Sequence, residues 1–469
     1  MKIDWKKKIL AYSLKNAVEH EGKAKDNFVL NSLFHEGLEK KDVKEVMPLI
    51  QKTVKEVNGM KLEDIEEKFS ELKKETGHRK EREGLPELEN AKSGIITRFS
   101  PSSSASAFHI GHIFTGLPAS LYVKKYGGKF YLRIEDTNPV KTVPECYESF
   151  PKESEWIFGN VTEWYAQSDR MDKYYKFAEE MIKKGLAFVC TCKKEDDSLP
   201  RKICSCRNNS VKDNQEKWKN MLGRGKFKEG EAVLRFKSKN ANLSNPALID
   251  FPLARINESP HPRQGKKYRV WPLMNLCVAY DDMEQKCTHI IRGKEHRDNA
   301  LRQEMIFDAL GIKKPYTYFI GRYKFVDLEI SKTKITERIK RGEFSGWDDI
   351  RLPLARTFKK RGYVPEAFQK YVIQRGISEV DKVISQKDFF EVLNKFNRES
   401  LRGKTRKASF ERSNEKNSNL KVLMPDNKYT YAISEIKPKK EETVYFEKFG
   451  YAKYNGKEGN KLIFWFCHK

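Results

Sequence analysis

Apolar residues recur at helical spacing through the first 75 or so positions: Ile9, Leu10, Leu14, Ala17 and Val18, then Val43, Val46, Met47, Ile50, Val54 and Val57, then Leu62, Ile65 and Phe69. This predicts a small helical domain, which a charged stretch, KKETGHRKEREGLPE, extends as a linker to a boundary at 1–85. The spacing then shortens. Gly94 to Phe99 (GIITRF) alternates and is β-branched, a first strand. A Ser-rich turn from Ser100 to Ser106, a helix headed by His109 and a second strand at Lys129 to Ile134 complete one right-handed βαβ unit, the first half of a parallel-sheet domain at 86–145.

Helical periodicity returns around Tyr174 to Leu186, and the short strands AVLRFK and ALIDF belong with it to an insertion at 146–255. Tyr268 to Tyr280 and THIIRGKEH read as a return to the parallel sheet, followed by a helix from Asn299 to Leu310, a second half at 256–325. A loop at Glu329 to Lys334 and a cationic helical stretch from Trp347 to Gly376 occupy 326–398. In the last segment, 399–469, Arg402 to Asn419 reads as a polar linker. Five or so short strands follow it, a small β-barrel or sandwich.

Composition changes this picture mainly through charge. With 92 Lys+Arg against 66 Asp+Glu the formal net charge is +26, spread along the chain. A polyanion such as nucleic acid is the natural partner, against the plainer alternative of generic basicity. Neither a signal-like start nor a run of about 18 apolar residues is found, so a cytoplasmic protein without membrane contact is expected. Four of the 8 cysteines are bunched. Cys190-x-Cys192, then 11 residues, then Cys204-x-Cys206 supplies two thiolate pairs, enough for one closed, structural, tetrahedral Zn²⁺.

The candidate chemistry gathers at the carboxyl ends of the predicted parallel strands, where ligands of such sheets sit. His109 and His112 stand three apart at a helix start, with Gly111 between them leaving room for a flat base. Glu135 follows the second strand, and Arg292 and Glu295 follow the THII strand. Ser331, Lys332, Thr333 and Lys334 interleave hydroxyls with point charges suited to phosphate.

HIGH after a first strand, with SKTK some 220 residues later, resembles the signature of class I aminoacyl-tRNA synthetases. YGGKFYLRIEDTNP, HPRQGKKYRVWPL, THIIRGKEH, GWDDIRLPLARTFKKRG and LKVLMPD, in that order, resemble the archaeal-type glutamyl-tRNA synthetase family. The resemblance implies an α/β multidomain chain. Its parts would be a Rossmann-type catalytic domain, an inserted acceptor-end binding domain, an N-terminal helical domain, a helical stem-contact region and a small C-terminal anticodon-binding β-barrel.

It also implies that L-glutamate and ATP form glutamyl-adenylate, with Mg²⁺ at the phosphates, and that the acyl group passes to the terminal adenosine of tRNA(Glu), with tRNA(Gln) a second candidate and the protein a monomer. His109, Gly111, His112, Glu295 and Lys332 would then bind ATP. Ser331, Lys332 and Lys334 would steady the leaving pyrophosphate, and Arg98, Ser100, Ser102, Glu135, Met274 and Arg292 would line the amino-acid pocket.

Three departures from the family pattern carry expectations of their own. SSSASAF stands where the family has a Pro- and Gly-bearing turn, so a looser loop is expected. Met274 stands where the family carries tyrosine and donates no hydrogen bond. About 70 residues follow the stem-contact stretch where two barrels would be expected. These keep two other readings open: an impaired paralogue kept as a tRNA-binding protein, and a relative that activates glutamine or another amino acid.

Overall fold

The structure is a computed structural model that describes residues 4–20, 22–76, 84–192, 204–239 and 245–469. Part of the charged linker, at 77–83, and the span between the cysteine pairs, at 193–203, lie outside the described residues. The chain divides into two compact units, Met1–Arg82 and Glu83–Lys469.

The first unit is helical: α1 (Trp5–Glu19), α2 (Asp26–His35), α3 (Val43–Asn58) and α4 (Leu62–Leu72). Asp4 caps α1 through the Lys7 N–H. The apolar stripe of α3, with Val46, Ile50, Val54 and Val57, packs into one core with Ile9, Leu14 and Ile65.

The second unit begins with β1 (Ile95–Phe99), α5 (Ile110–Tyr126), β2 (Gly128–Ile134), α6 (Cys146–Ile157) and β3 (Glu163–Ala166). β1 pairs with β2 and β2 with β3, all parallel. The insertion follows: α7 (Met171–Lys183), β4 (Ala187–Cys190), α8 (Val211–Leu222), β5 (Val233–Phe236), β6 (Pro252–Ile256) and β7 (Val270–Pro272), its four strands antiparallel in sequence order. Next come α9 (Met274–Glu284), β8 (His289–Gly293), α10 (Arg297–Leu310), β9 (Tyr316–Ile320) and β10 (Tyr323–Phe325). β8 and β9 pair in parallel, and Thr288 ties β8 beside β1 through its N–H to Ile96 O at 2.9 Å. The layer therefore runs β3-β2-β1-β8-β9, with its chain order reversing between β1 and β8.

α5 is apolar nearly all round because it is covered on two sides. Phe99 and Phe130 lie in the same core as Phe114, which stacks on Tyr371 at 5.1 Å and meets Phe389 edge-on. Those rings belong to the last helices of the series α11 (Lys332–Lys340), α12 (Ala355–Arg361), α13 (Pro365–Arg375), then β11 (Lys382–Ile384) and α14 (Gln386–Leu401). The C-terminal strands are β12 (Arg406–Ala408), β13 (Glu411–Arg412), β14 (Leu420–Leu423), β15 (Tyr429–Ile433), β16 (Thr443–Phe446), β17 (Gly450–Glu458) and β18 (Lys461–His468).

Three sequence expectations are corrected by the structure. Tyr268 to Tyr280 is no parallel strand: β7 joins the insertion's antiparallel sheet, ends at Pro272, and gives way to α9. SKTK is a helix start, with Ser331 as N-cap of α11. The stretch from Trp347 to Gly376 is helical as expected, in two short helices that break at Gly362, whose φ of 100° is left-handed. Arg402 to Asn419 supplies β12 and β13, so the C-terminal sheet has seven strands in the order β12-β16-β17-β18-β14-β15-β13. Its two edges are neighbours in sequence, so the sheet curls until they approach each other.

Candidate active site

The switch between β1 and β8 opens into a cavity of about 880 Å³. Arg98, Ser100, Ser102, His109, Gly111, His112, Glu135, Met274, Arg292, Glu295, Ser331 and Lys334 all line it. Lys332 does not. Its ammonium instead donates to Ser104 O in the Ser-rich turn.

At one end stands the histidine pair. His109 is the N-cap of α5 rather than a member of its first turn, and its Nδ1 accepts the Gly111 N–H at 3.0 Å. His112 Nδ1 accepts the His109 N–H at 3.3 Å, and the rings lie 3.9 Å apart at 30°. Burial lowers His109 to about 4, and burial together with His109 holds His112 well below the usual imidazole value. Both rings are therefore neutral near pH 7. Because each Nδ1 is an acceptor, each Nε2 carries the proton and is a donor. Gly111 has a further reason to be glycine: a Cβ there would stand 2.8 Å from His109 Cε1.

The Ser-rich turn is not loose. Glu135 N–H donates to Pro101 O and Ser103 N–H to Glu135 O, both at 3.1 Å, continuing the parallel pairing of β1 with β2. Ser103 Oγ meets Thr142 Oγ1 at 2.9 Å, and Arg356 donates to Ser106 O at 2.8 Å. These bonds replace the stiffness that proline and glycine geometry would have given. Ser100 Oγ is buried and has no partner among the described residues, while Ser102 is exposed beside Ser104 at 3.1 Å.

The other end is built from charges. Arg98 points Nε and one Nη at Asp282, at 3.3 and 3.5 Å, and Arg133 donates to the same carboxylate at 2.8 Å. Burial alone would raise Asp282, yet Arg98 and Arg133 hold it below the usual range. Asp281, beside it, takes Arg170 at 3.0 Å, Gln167 and Tyr174. Glu135 lies 3.7 Å from Arg133, and burial raises its carboxyl against the pull of Arg133, Arg98 and Arg292.

Arg292 differs from Arg98. It is 7% exposed, donates to Gln303 at 2.8 Å, forms no ion pair with a carboxylate among the described residues, and leaves its Nε buried without a hydrogen-bond partner among them. Burial first, and Arg98 second, lower it to about 10. Asp282 and Glu135 act on it only from a distance, so this buried guanidinium, without a paired carboxylate and beside a cavity, has hydrogen-bonding capacity left for an anion. Met274 opens α9 and Glu295 faces Arg322 at 3.4 Å. Gly293 leaves the space into which the Glu295 carboxylate folds, since a Cβ there would lie 2.5 Å from its oxygen.

Asp282, Gln303 and Arg322 were not singled out from the sequence. For Asp282 a signal exists: the adjacent carboxylates of Asp281 and Asp282 follow the apolar run Leu276 to Tyr280 on the same helix. Gln303 had none.

Away from this cavity, Cys190 Sγ lies 3.6 Å from Cys204 Sγ and Cys192 Sγ 3.7 Å from Cys206 Sγ, with all four sulfurs within 4.8 Å of one another. A tetrahedron with metal–sulfur bonds of about 2.3 Å has edges of roughly 3.8 Å, so the set fits one soft, zinc-like ion.

A parallel sheet with a reversal in strand order, neutral imidazoles at a helix start and cations around the same cavity define a nucleotide-using α/β protein. The chain belongs to the tRNA synthetases class I (E and Q), whose catalytic-domain family it matches over residues 94–402. It is similar to glutamate–tRNA ligase of Pyrococcus abyssi, 41% identical over 392 residues that cover 80% of this chain and 68% of the relative. The ligase of Methanocaldococcus jannaschii is 36% identical over 389 residues, 82% of this chain and 69% of that one. Among solved structures, a glutamate tRNA ligase from Elizabethkingia meningosepticum in complex with its amino acid superposes at TM-score 0.47 with 19% identity, covering 65% of this chain and 69% of that one. Among the described residues no helix is long and apolar enough to cross a membrane.

Proposed function

We propose that this chain is a glutamate–tRNA ligase. The observation that carries the reading is the match in charge between one end of the cavity and L-glutamate. Glutamate has one ammonium and two carboxylates, and the cavity end offers one carboxylate, Glu135, and two guanidiniums, Arg98 and Arg292. Arg292, which forms no ion pair among the described residues, takes a substrate carboxylate through the N–H groups that Gln303 leaves free. Arg98, half-satisfied by Asp282, offers its remaining N–H groups.

In the first step a glutamate carboxylate oxygen attacks the α-phosphorus of ATP, the bond to the bridging oxygen breaks, and pyrophosphate leaves. His109 and His112 donate from Nε2 to phosphate oxygens without a change of charge state. Ser331, Lys334 and Lys332 act on the leaving group, Lys332 after releasing Ser104 O. Glu295 contributes on the nucleotide side, and Mg²⁺ arrives with ATP. In the second step a ribose hydroxyl of the tRNA terminus attacks the acyl carbon and AMP leaves. Catalysis here is positioning and charge stabilisation.

The net charge of +26 suits a tRNA partner. The four cysteines hold a structural Zn²⁺ in the insertion, and the protein works as a cytoplasmic monomer. Charging total tRNA with labelled glutamate and sequencing the products tests the activity and decides whether tRNA(Gln) joins tRNA(Glu). Failure of pyrophosphate exchange with any amino acid in the presence of tRNA overturns it in favour of a tRNA-binding paralogue. Metal analysis should find about one zinc per chain, lost in Cys190→Ser/Cys204→Ser.

A further inference from the structure

Glu153 is a carboxylate in the wrong place for a surface residue. It lies on the buried face of α6 with Cys146, Phe150, Ser154 and Ile157, 7% exposed, and burial raises it to about 7. It does not line the cavity of about 880 Å³. Its Oε2 accepts the N–H of Phe108, the residue that leads into His109. Its Oε1 lies 3.5 Å from Arg356 Nε, and Arg356 in turn donates to Ser106 O at 2.8 Å.

The opposite side of the same backbone is also gripped. Phe108 O accepts the Ala355 N–H at 2.8 Å, and the Ile110 N–H donates to Pro353 O at 3.0 Å. Residues 106–110 thus run between a buried carboxylate and the segment just before α12. His109 must keep the extended backbone of an N-cap, φ −89° and ψ 170°, for its Nδ1 to reach Gly111 and for its N–H to reach His112. Displacing Phe108 turns that residue, and both rings with it.

We propose that Glu153, with Arg356, is a positioning residue for nucleotide binding: it holds the Phe108 N–H so that the Nε2 donors of His109 and His112 stand ready for ATP phosphates. This rests on the cavity's being the ATP site. The oxygen acceptor is what matters, so the amide should replace the acid. In Glu153→Gln the side-chain carbonyl accepts the same N–H. In Glu153→Ala the N–H is left buried and unpaired.

The test uses the full chain. Calorimetric affinity for a non-hydrolysable ATP analogue is measured beside KM for ATP and for glutamate in tRNA-dependent pyrophosphate exchange. Glu153→Ala should weaken nucleotide affinity about tenfold with KM for glutamate unchanged, Glu153→Gln should stay within about threefold of wild type, and Arg356→Ala, at the exposed end of the clamp, should fall between them. Nucleotide affinity unchanged in Glu153→Ala or in Arg356→Ala overturns the proposal. So does a Glu153→Gln protein as impaired as Glu153→Ala, because a carboxylate needed only for folding would not be rescued by its amide at the nucleotide. If Glu153→Ala does not fold, the Gln and Arg356→Ala variants decide it. Wild-type protein that binds the analogue but activates no glutamate removes the ligase reading and leaves this one to be decided by the affinities alone.

Discussion

The histidine and lysine motifs at the cavity are held in different ways. The histidine wall is tied from every side: the two backbone bonds to ring Nδ1, the pairing of the serine turn with Glu135, the Glu153 carboxylate on Phe108 and the bridge to Pro353 and Ala355. The lysine wall is anchored through the Ser331 N–H to Glu329 and the buried Ile335, but its ammonium groups are held, among the described residues, by one contact each, Lys332 to Ser104 O and Lys334 to Glu329 at 3.6 Å. Neutral donors work only if they are already aimed, since they have no long-range attraction to gather a phosphate. Ammonium groups can be drawn in by the charge itself. On the proposed reading, one wall is built before the substrate arrives and the other is completed by it.

This contrast can be broken by experiment. The largest effect should come from the charge frame behind the pre-built wall. Asp282→Asn leaves Arg98 and Arg133 short of a buried counter-ion and should cost about 3–5 kcal/mol in denaturant unfolding. Next, His112→Ala should lower kcat/KM for ATP in exchange by about 10²–10³, roughly 2.7–4 kcal/mol, the magnitude for a lost pre-aimed donor. Lys332→Ala should fall mainly in kcat, by about 1.5–3 kcal/mol, with stability unchanged within about 0.5 kcal/mol. A Lys332 variant that unfolds would show that the lysine wall is as structural as the other.

Smallest per pH unit, though spread over a wide window, is a pH dependence. His109 is depressed to about 4 in the folded chain against about 6.5 unfolded, so the unfolded chain binds the proton first as pH falls. Its contribution to stability is complete above pH 6.5 and is lost between about 6.5 and 4, at no more than about 1.4 kcal/mol per unit. Unfolding midpoints measured across that window should decline less in His109→Asn. A wild-type curve flat to pH 4, once other groups are matched in the variant, would mean that the rings are not desolvated.

Much of the site was legible locally. β1, α5 and β2 follow from alternation, a cap and a second alternating run, so the histidines and Glu135 could be placed at carboxyl ends of strands. The cysteine spacing likewise named four sulfurs that converge. What went astray was either periodic without being what it resembled, as at Tyr268 to Tyr280, or polar yet paired, as at Arg402 to Asn419, where edge strands need no apolar face.

The sequence by itself determined the elements and the residue types presented at their ends, because periodicity, caps and turn chemistry act between near neighbours. Only the tertiary structure decided which charges are spent and which remain free. Arg98 meets Asp282 across 184 positions, while Arg292 finds a neutral glutamine 11 residues on and forms no ion pair among the described residues. No local pattern distinguishes those two arginines. A buried charge is governed by whichever group the chain's long-range pairing brings within a few ångströms, and that pairing follows from packing of the whole layer.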